Sequence, residues 1–536
     1  AEPGVADLLA AVRAEREAGA ATTTRTTAPA ADTVPRAPIR AAIPRATYRL
    51  QLHAGFGFAA AADLVPYLDQ LGISHCYFSP YMQARPGSTH GYDVVAHDRL
   101  NPELGSRADF DRLCETLADH GMGQLLDMVP NHVGVMGGNN RWWLDVLENG
   151  QASRYADWFD IDWEPLKQEL RGKVLVPVLG DHYGNVLDNG ELTLVLADGG
   201  FRVEYYEHHF PIDPREYPRI LAPRLEQLRE RLDAPAAGEA TGASHQALAA
   251  FESLITAFGN LPPRWQRDTD ALTERRRDNE IHKQRLAALC AEHTDIDHYV
   301  RECLRDINGT EHAAADRERL HALLEAQAYR LAHWRVAADE INYRRFFDIN
   351  DLAALRMENP DTFEATHSLV LALITDGRLD GLRIDHPDGL YDPAAYFAQL
   401  QRRSAEVRGA PAEADADDEP GSADTGLPLY LVVEKILTGD EQLPEDWPVH
   451  GTTGYDFAAL TDALLVDPDG AEPLTDCWQA FSGRERSLED EIYASKRLVM
   501  RNLLSGELNV LASELSRIAE NDPHTRDFTL GALRDA

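Results

Sequence analysis

Cysteine is scarce in this chain of 536 residues, and the pattern of the five cysteines argues against several classes of protein. They are odd in number and scattered, they form no C-x-x-C pair, and they have no histidine neighbour at zinc-ligand spacing. We therefore expect no disulfide scaffold, no metal site and no cofactor. Unpaired cysteines of this kind predict a reducing compartment, the cytoplasm. The five positions are Cys76, Cys114, Cys290, Cys303 and Cys477.

Long apolar runs and positive charge are also lacking. No uncharged apolar run reaches about 18 residues, and acids occupy the start of the sequence, where a signal peptide is basic. We therefore expect a soluble, unexported protein. Lys and Arg number 52 against 89 Asp and Glu, which gives a formal net charge of -37. That field repels nucleic-acid phosphates and anionic membranes but leaves a neutral ligand such as a sugar unaffected, so we expect no nucleic-acid or membrane partner. The sequence does not indicate an oligomeric state.

Strand and helix patterns alternate in two parts of the chain. Residues 1–42, rich in Ala, Thr and Pro, are predicted to be a disordered tail or linker. Residues 43–132 contain three strand patterns separated by amphipathic helices, and residues 346–536 resume the alternation around a predicted disordered loop at 409–426. Residues 133–345 lose the alternation and are predicted to be inserted subdomains, first mixed and then helical. The alternation indicates βαβ units and a parallel sheet, either closed or open.

Three of the strand patterns end in polar residues. In a parallel barrel, the carboxyl ends of the strands form the catalytic face. A carboxylate at the end of a buried strand is unfavourable unless it is paired, so acids at successive strand ends suggest a pair that faces a common cavity. The residues are Asp127, Asn131 and His132 in DMVPNH, Arg383, Asp385 and His386 in GLRIDH, and Glu434 and Lys435 in VVEK.

Two of these acids fit the chemistry of glycosyl transfer with retention of configuration. That reaction needs a carboxylate nucleophile and a carboxylic acid roughly 5 to 5.5 Å apart. We assign Asp385 as the nucleophile and Glu434 as the acid/base. Arg383 precedes Asp385 by two residues, so strand alternation turns both side chains to one face, where the guanidinium keeps Asp385 ionised. A structural ion pair is the competing interpretation of any single R-x-D tripeptide.

Taken together, the motifs resemble a known family. DMVPNH, GLRID and VVEK, in this order, resemble the first three signature regions of the α-amylase family, whose fold is a (β/α)₈ TIM-type barrel. Other segments, from about Ile43 onward, resemble the maltooligosyl trehalose synthase family within it. The resemblance implies a barrel with large, mostly helical insertions. These segments include YFSPYMQARPGSTHGYDV, EINYRRFFDINDLAALR, GLRIDHPDGLYDP and GTTGYDF.

The resemblance also implies an activity, that of an isomerase acting by intramolecular transglycosylation in trehalose biosynthesis. The reducing-end α-1,4 bond of a maltooligosaccharide or α-1,4-glucan becomes an α,α-1,1 bond by a retaining double displacement. Tyr92 matches the family's aromatic residue that stacks on the sugar in the cleaved subsite. The other residues expected around the substrate are His90, Asp93, Asn131, His132, Arg383, His386, Asp127 and Lys435.

The resemblance is incomplete at one end. The family's third carboxylate, last barrel strands and C-terminal β domain belong downstream of GTTGYDF, and we expect this sequence to lack them. An incomplete barrel exposes strand edges and apolar surface, so we expect the 536 residues alone to be unstable or inactive. Two alternatives therefore stay open: an α-glucan hydrolase or glucanotransferase of the same family, and a non-catalytic glucan-binding fragment.

Overall fold

A computed structural model describes residues 41–233, 241–309, 314–409, 426–484, 486–521 and 523–536. Apart from residues 41, 42, 409 and 426, the predicted tail (1–42) and the predicted loop (409–426) lie outside the described residues. The chain divides into two compact units. The first unit is Ala1–Val133 with Arg356–Asp476, and the second is Gly134–Leu355 with Cys477–Ala536.

The first unit is built on a five-stranded parallel sheet. Its strands are β1 (Thr47–Leu50), β2 (His75–Phe78), β3 (Gly123–Met128), β4 (Gly381–Ile384) and β5 (Tyr430–Val433), and they lie side by side in this order. Each coincides with a predicted strand, and the parallel pairing is confirmed. Crossovers between parallel strands are right-handed in almost all proteins, so a sheet whose strand order follows the sequence carries its helices on one face, as in a barrel, whereas a doubly wound sheet reverses its strand order.

Helices lie between successive strands of this sheet. The helix before β3 shows why the sequence folds locally in this way. Ser106 and Asp109 form a reciprocal capping box at its start, and Phe110, Leu113 and Leu117 make a buried apolar stripe. The helices of this unit are α1 (Phe58–Gln70), α2 (Arg107–Asp119), α3 (Pro360–Thr375), α4 (Pro393–Val407) and α5 (Tyr455–Ala463), and an antiparallel pair, Met82–Ala84 with Val94–Leu100, follows β2.

A further short segment pairs with β5 at the edge of the sheet. His450 N–H donates to Leu431 O over 2.7 Å, Val433 N–H donates to Gly451 O over 3.0 Å, and Thr452 forms an isolated parallel bridge with Val433. Helix α5 comes directly afterwards, and none of its described side chains is buried. The segment at 450–452 therefore adds a short parallel pairing to the sheet, and α5 presents apolar surface to solvent.

The second unit is mostly helical. Val174–Leu179 pairs in parallel with Tyr329–His333, and Thr193–Ala197, Gly200–Tyr205 and His208–Pro211 form an antiparallel sheet. A short antiparallel pair joins Arg345–Phe346 to Ile349–Ala354. Its helices are Arg141–Asn149, Tyr183–Asp188, Tyr217–Leu221, Leu225–Asp233, Thr241–Gly259, Thr269–Glu292, Thr294–Asn308, Ala314–Glu325, Ala337–Glu340, Leu488–Asn502, Ser505–Ala519 and Leu530–Asp535. Strand His132–Gly134 and helix Ala471–Ser482 each contain a boundary between the units.

Two expectations from composition concern membranes and cysteines. Within the ranges given above, no helix is long and apolar enough to cross a membrane. All five cysteines lie in those ranges as free thiols, two of them buried.

Among the buried histidines of the first unit, His97 and His367 have strongly lowered pKa values. His367 of α3 has both ring nitrogens engaged, Nδ1 at 2.9 Å from Phe363 O and Nε2 at 2.8 Å from Tyr396 Oη. His97 Nε2 lies 3.1 Å from Val129 O. Burial lowers the pKa of His97 to about 4 and that of His367 to about 3. The folded state therefore excludes protons that the unfolded chain binds below pH ~6.5.

This burial predicts an acid sensitivity that a single substitution reduces. Because the unfolded state takes up the proton first, each histidine stabilises the fold above pH ~6.5 and loses that contribution as the pH falls toward 4. His97→Gln removes one such group. Relative to this variant, the wild-type free energy of unfolding should fall by about 1.4 kcal/mol per pH unit between pH 6 and 4.5. Urea unfolding at several pH values measures the difference, and parallel pH profiles would show that His97 is not the group responsible.

Candidate active site

The polar strand ends meet at the carboxyl end of the parallel sheet. Asp127 on β3 lies opposite Arg383 on β4, and Arg383 lies opposite Val432 on β5. Asp385 directly follows β4 and Glu434 directly follows β5. Side-chain direction alternates along a strand, so Asp127, Arg383, Asp385 and Glu434 point to the same face. Three motifs that lie far apart in the sequence thus form one site.

The Arg383 guanidinium is the centre of this site. Its Nη1 lies 2.6 Å from Asp127 Oδ1 and 2.6 Å from Asp385 Oδ1, and its Nη2 lies 2.9 Å from Glu434 Oε1. The side chains of Arg383 and Asp385 are 7% and 8% exposed, whereas that of Glu434 is 27% exposed. Because Asp385 and Glu434 contact neighbouring nitrogens of one planar group, they lie close together, and Glu434 is the one nearer to solvent.

Asp127 holds the guanidinium from the buried side. Its Oδ2 accepts hydrogen bonds from Tyr77 Oη at 2.7 Å and from Tyr92 Oη at 2.5 Å, while its Oδ1 accepts from Arg383. Arg49 Nη2 donates to Tyr92 Oη over 3.1 Å. Asp127 is fully buried, and the three hydrogen bonds that it accepts stabilise its charge. Its position makes it a support for Arg383.

Tyr77 and Arg49 were not among the residues that sequence reasoning selected. Arg49 on β1 lies opposite Tyr77 on β2, so the two side chains belong to one row of the sheet. The alternation of side chains along these strands is the sequence feature that could have identified Tyr77 and Arg49. In HCYF, His75 and Tyr77 alternate with the apolar Cys76 and Phe78, which marks a polar inner face.

Burial dominates the protonation of the central acids. It raises the pKa of the Asp385 carboxyl to about 7; Arg383 opposes this rise, and the neighbouring charges of Asp127 and Glu434 add to it. Burial also raises the pKa of Asp127 above its ordinary value, against the opposing charge of Arg383. One guanidinium thus serves three carboxyl groups. The expectation that Arg383 keeps Asp385 ionised is therefore not met in full, because burial outweighs the guanidinium and raises the pKa of Asp385.

The loop that carries Tyr92 places two further predicted residues. Tyr92 N–H donates to His90 Nδ1 over 3.0 Å, and the two rings stack with centroids 6.0 Å apart. Ser88 Oγ donates to Asp93 Oδ1 over 2.5 Å. His90 is largely exposed, with Asp93 Oδ1 4.0 Å from its Nδ1. These residues order the loop behind the Tyr92 ring.

Of the remaining predicted residues, Asn131, His132 and His386 lie at the strand ends, and Lys435 lies apart from them. Asn131 Nδ2 lies 3.4 Å from His132 Nδ1, and both residues are buried beyond the end of β3. His386 N–H donates to Glu434 Oε2 over 3.0 Å. Lys435 is held in ion pairs, with Nζ 3.2 Å from Asp388 Oδ2 and 2.9 Å from Glu441 Oε1. Lys435 therefore lies outside the cluster centred on Arg383.

Comparison with known proteins agrees with this geometry. The catalytic-domain model of the α-amylase family matches residues 59–185. A shorter match, 36% identical over 107 residues, is to an intracellular maltogenic amylase of Bacillus subtilis; it covers 20% of this chain and 17% of the relative. With the sequential parallel sheet, these similarities confirm the expected fold class, an α-amylase-type (β/α)₈ barrel with helical insertions.

Within that class, the more extensive similarities are to maltooligosyl trehalose synthases. The chain is 32% identical over 437 residues to a putative maltooligosyl trehalose synthase of Mycobacterium tuberculosis, covering 80% of this chain and 39% of the relative. The structure of the maltooligosyltrehalose synthase from Arthrobacter ramosus matches with a TM-score of 0.60 and 33% identity, over 89% of this chain and 46% of that chain. A hypothetical maltooligosyl trehalose synthase of Sulfolobus tokodaii matches with a TM-score of 0.56 and 26% identity, over 88% and 46%. The chain spans less than half the length of these relatives, and over that span it is their homologue.

The central position of Arg383 predicts a large and pH-dependent loss of stability when it is replaced. Arg383→Met keeps the volume but leaves three carboxyl groups without their cation, so we expect the free energy of unfolding to fall by about 3–5 kcal/mol at pH 8. The loss should be smaller at pH 5, where the acids take up protons. The measurement is urea unfolding at both pH values.

Arg403→Met is the matched control. Arg403 on α4 also contacts two carboxylates, Glu364 and Glu406, but at the surface. Exposed ion pairs contribute about 0–1 kcal/mol, so this variant should unfold almost like the wild type. Equal losses in the two variants would contradict the special role of Arg383.

Proposed function

We propose that this chain carries the nucleophile and the acid/base of an intramolecular transglycosylase that forms maltooligosyl trehalose. The observation that carries the proposal is the placement of Asp385 and Glu434 on one guanidinium at adjacent strand ends. Retaining glycosyl transfer requires two carboxyl groups about 5 to 5.5 Å apart. The similarity to maltooligosyl trehalose synthases over 80% of the chain supports the choice of reaction.

In the first step, Asp385 attacks the anomeric carbon of the glucosyl unit next to the reducing end. The α-1,4 bond to the terminal glucose breaks, and Glu434 donates its proton to the departing O4. The glycosyl ester of Asp385 forms as the glucose leaves. Asp385 must be ionised for this step, and Arg383, hydrogen-bonded to it, stabilises that charge.

In the second step, the released glucose rotates within the site and does not leave it. Its C1 hydroxyl oxygen attacks the same anomeric carbon, Glu434 takes the hydroxyl proton, and the ester bond to Asp385 breaks. The product carries an α,α-1,1 bond, and both acids regain their starting states. Water in place of the glucose would give hydrolysis, so retention of the glucose determines the outcome.

Other residues of the site would hold the sugar. We propose that Tyr92 stacks on the sugar at the cleaved bond, because its ring lies beside Arg383, with the guanidinium 6.0 Å from the ring centroid. His90 and Asp93 order the loop of Tyr92, while Asn131 and His132 border the same strand ends. The substrate is a neutral maltooligosaccharide, which suits a protein of net charge -37. The five free thiols support a reducing compartment such as the cytoplasm.

Incubation with maltopentaose distinguishes the proposed activity from its alternatives. The gene product that contains this chain should consume reducing ends without changing the number of sugar molecules, and proton NMR should show an α,α-1,1 linkage. An increase in reducing ends indicates a hydrolase, redistribution of chain lengths indicates a glucanotransferase, and binding without turnover indicates a non-catalytic glucan-binding protein. Any of these three results as the main outcome contradicts the proposal. Asp385→Asn and Glu434→Gln are the controls for the site.

Asp385→Asn should increase stability while it removes activity. The folded state raises the pKa of Asp385 to about 7, so it holds this proton more tightly than the unfolded chain does. The resulting destabilisation develops as the pH rises from about 4 to 7 and persists above. At pH 8 the variant should be about 1–3 kcal/mol more stable than the wild type, and at pH 4 nearly equal.

The matched control is an acid whose pKa is lowered by folding, so its replacement should change stability in the opposite direction. Asp111 lies on α2, where hydrogen bonds from Arg378 and Arg107 lower its pKa. Asp111→Asn should therefore lower stability at pH 8. Thermal and urea unfolding of both variants measure the two directions, and a loss of stability in Asp385→Asn at pH 8 would refute the assignment of Asp385 as a destabilising buried carboxylate.

A further inference from the structure

His386 has a left-handed backbone conformation, and it lies between the two acids of the candidate site. It directly follows Asp385, and its φ and ψ are 45° and 57°, in the left-handed region. An L-residue with a side chain is disfavoured there, and such residues persist only where the surrounding structure requires them. In the described part of the chain, Asp198, Tyr206 and Phe347 are the other non-glycine residues with positive φ.

The hydrogen bond of the His386 N–H explains what this conformation provides. Ile384 O accepts from Glu434 N–H, so alternate residues of β4 face β5. His386 is the next residue on that side, and its N–H donates to Glu434 Oε2 over 3.0 Å. The left-handed residue bends the chain immediately afterwards into the turn Pro387–Gly389. The N–H of His386, the last one along the edge of β4 that faces β5, thus donates to the Glu434 side chain.

Glu434 is therefore held at both carboxyl oxygens. Arg383 Nη2 contacts Oε1 at 2.9 Å, and His386 N–H contacts Oε2 at 3.0 Å. Two contacts on different oxygens fix the plane of the carboxyl group, whereas one contact leaves it free to rotate. A fixed plane matters for a group that must deliver a proton to one particular oxygen.

The turn is closed by a glycine that leaves room for the His386 ring. A Cβ at Gly389 would lie 2.4 Å from Asn131 Oδ1 and 2.6 Å from His386 Cδ2. Both distances are far below contact, so the imidazole and the Asn131 amide pack on the bare glycine. This packing holds the His386 ring, and with it the left-handed backbone.

We propose that His386 is a positioning residue for Glu434: its left-handed backbone turns an N–H to Oε2, and its ring, packed on Gly389, maintains that conformation. The inference rests on the proposed function, which assigns Glu434 as the acid/base. It predicts that the backbone conformation at 386 controls proton delivery, and that the imidazole contributes by keeping that conformation.

Substitutions at 386 separate backbone from side chain. Glycine adopts the left-handed region freely and asparagine tolerates it, whereas valine is excluded from it. With maltopentaose, His386→Val should lose about 100-fold in kcat with KM changed by less than about 3-fold, because general acid catalysis is impaired. His386→Gly and His386→Asn should each lose at least about 10-fold less in kcat than His386→Val, because both residues can adopt the left-handed conformation. If His386→Gly loses as much as His386→Val, the ring itself is required and the inference is wrong.

An activated substrate provides a readout that general damage to the structure does not imitate. Fluoride leaves α-maltotriosyl fluoride without needing a proton, so the first-turnover burst of fluoride depends on Asp385 and not on delivery from Glu434. The His386→Val burst should stay within about 3-fold of the wild type. An equal loss on both substrates overturns the inference. His386→Ala, which is less restricted than valine, should show the same split with a smaller loss and serves if the valine variant does not fold.

Two controls keep the conclusions separate. Tyr206→Val makes the same kind of change at an exposed left-handed residue of the other unit, with φ 51°, and should leave kcat unchanged on both substrates. Loss of kcat in this variant would overturn the inference, because any left-handed position would then have the same effect. Glu434→Gln tests the proposed function itself. Full activity of Glu434→Gln refutes that function, whereas an inactive Glu434→Gln beside a fully active His386→Val refutes only the role of His386.

Discussion

The contact of Arg383 with three carboxyl groups is the interaction on which the site depends. Asp127 and Asp385 both contact Nη1 of the guanidinium, and Glu434 contacts the neighbouring Nη2. Three acids of like charge in a buried volume repel one another and lose hydration. A single cation with a rigid, planar set of donors offsets both effects and fixes the directions of the acids. Lysine has three donors on a single nitrogen at the end of a flexible chain, and it lacks the rigid planar set of donors that fixes these directions.

The same arrangement relates the proposed catalysis to stability. The pKa of Asp385 is raised to about 7 because the residue is buried, and in the proposed reaction this burial would also give the carboxylate strong interactions with the positive charge that develops on the sugar. The fold therefore tolerates a destabilising carboxylate in exchange for a preorganised site. His97 and His367, buried elsewhere in the same unit, act on stability in the opposite pH direction, since the fold excludes their protons.

Much of this could be predicted from the sequence, because strand parity and strand ends are local properties. The five strands, the parallel pairing and the shared face of Arg383 and Asp385 all followed from the alternation of side chains. Contacts across the sheet did not follow, since register is set by pairing between distant segments. The hydrogen bonds of Tyr77 and Arg49 were therefore missed, as was the common contact of Asp127 and Glu434 with Arg383.

Backbone conformation and unit composition were also beyond sequence reasoning. Nothing in the letters around His386 indicates a left-handed residue, because only a few per cent of non-glycine residues adopt this conformation, even though histidine is enriched among them. The association of Cys477–Ala536 with Gly134–Leu355 likewise depends on tertiary contacts; for example, Arg345 makes a bidentate ion pair with Glu507.

The register of β4 also restricts how this protein can diversify. Gly381, two residues before Arg383, has no space for a side chain, since a Cβ there would lie 2.5 Å from Tyr430 O. Leu382 and Ile384 are fully buried on the other face. Neither face of this strand accepts new side chains, and a shift by one residue would exchange the two faces. Variation in this unit must therefore proceed through the segments that follow the strands, such as the loop that carries Tyr92.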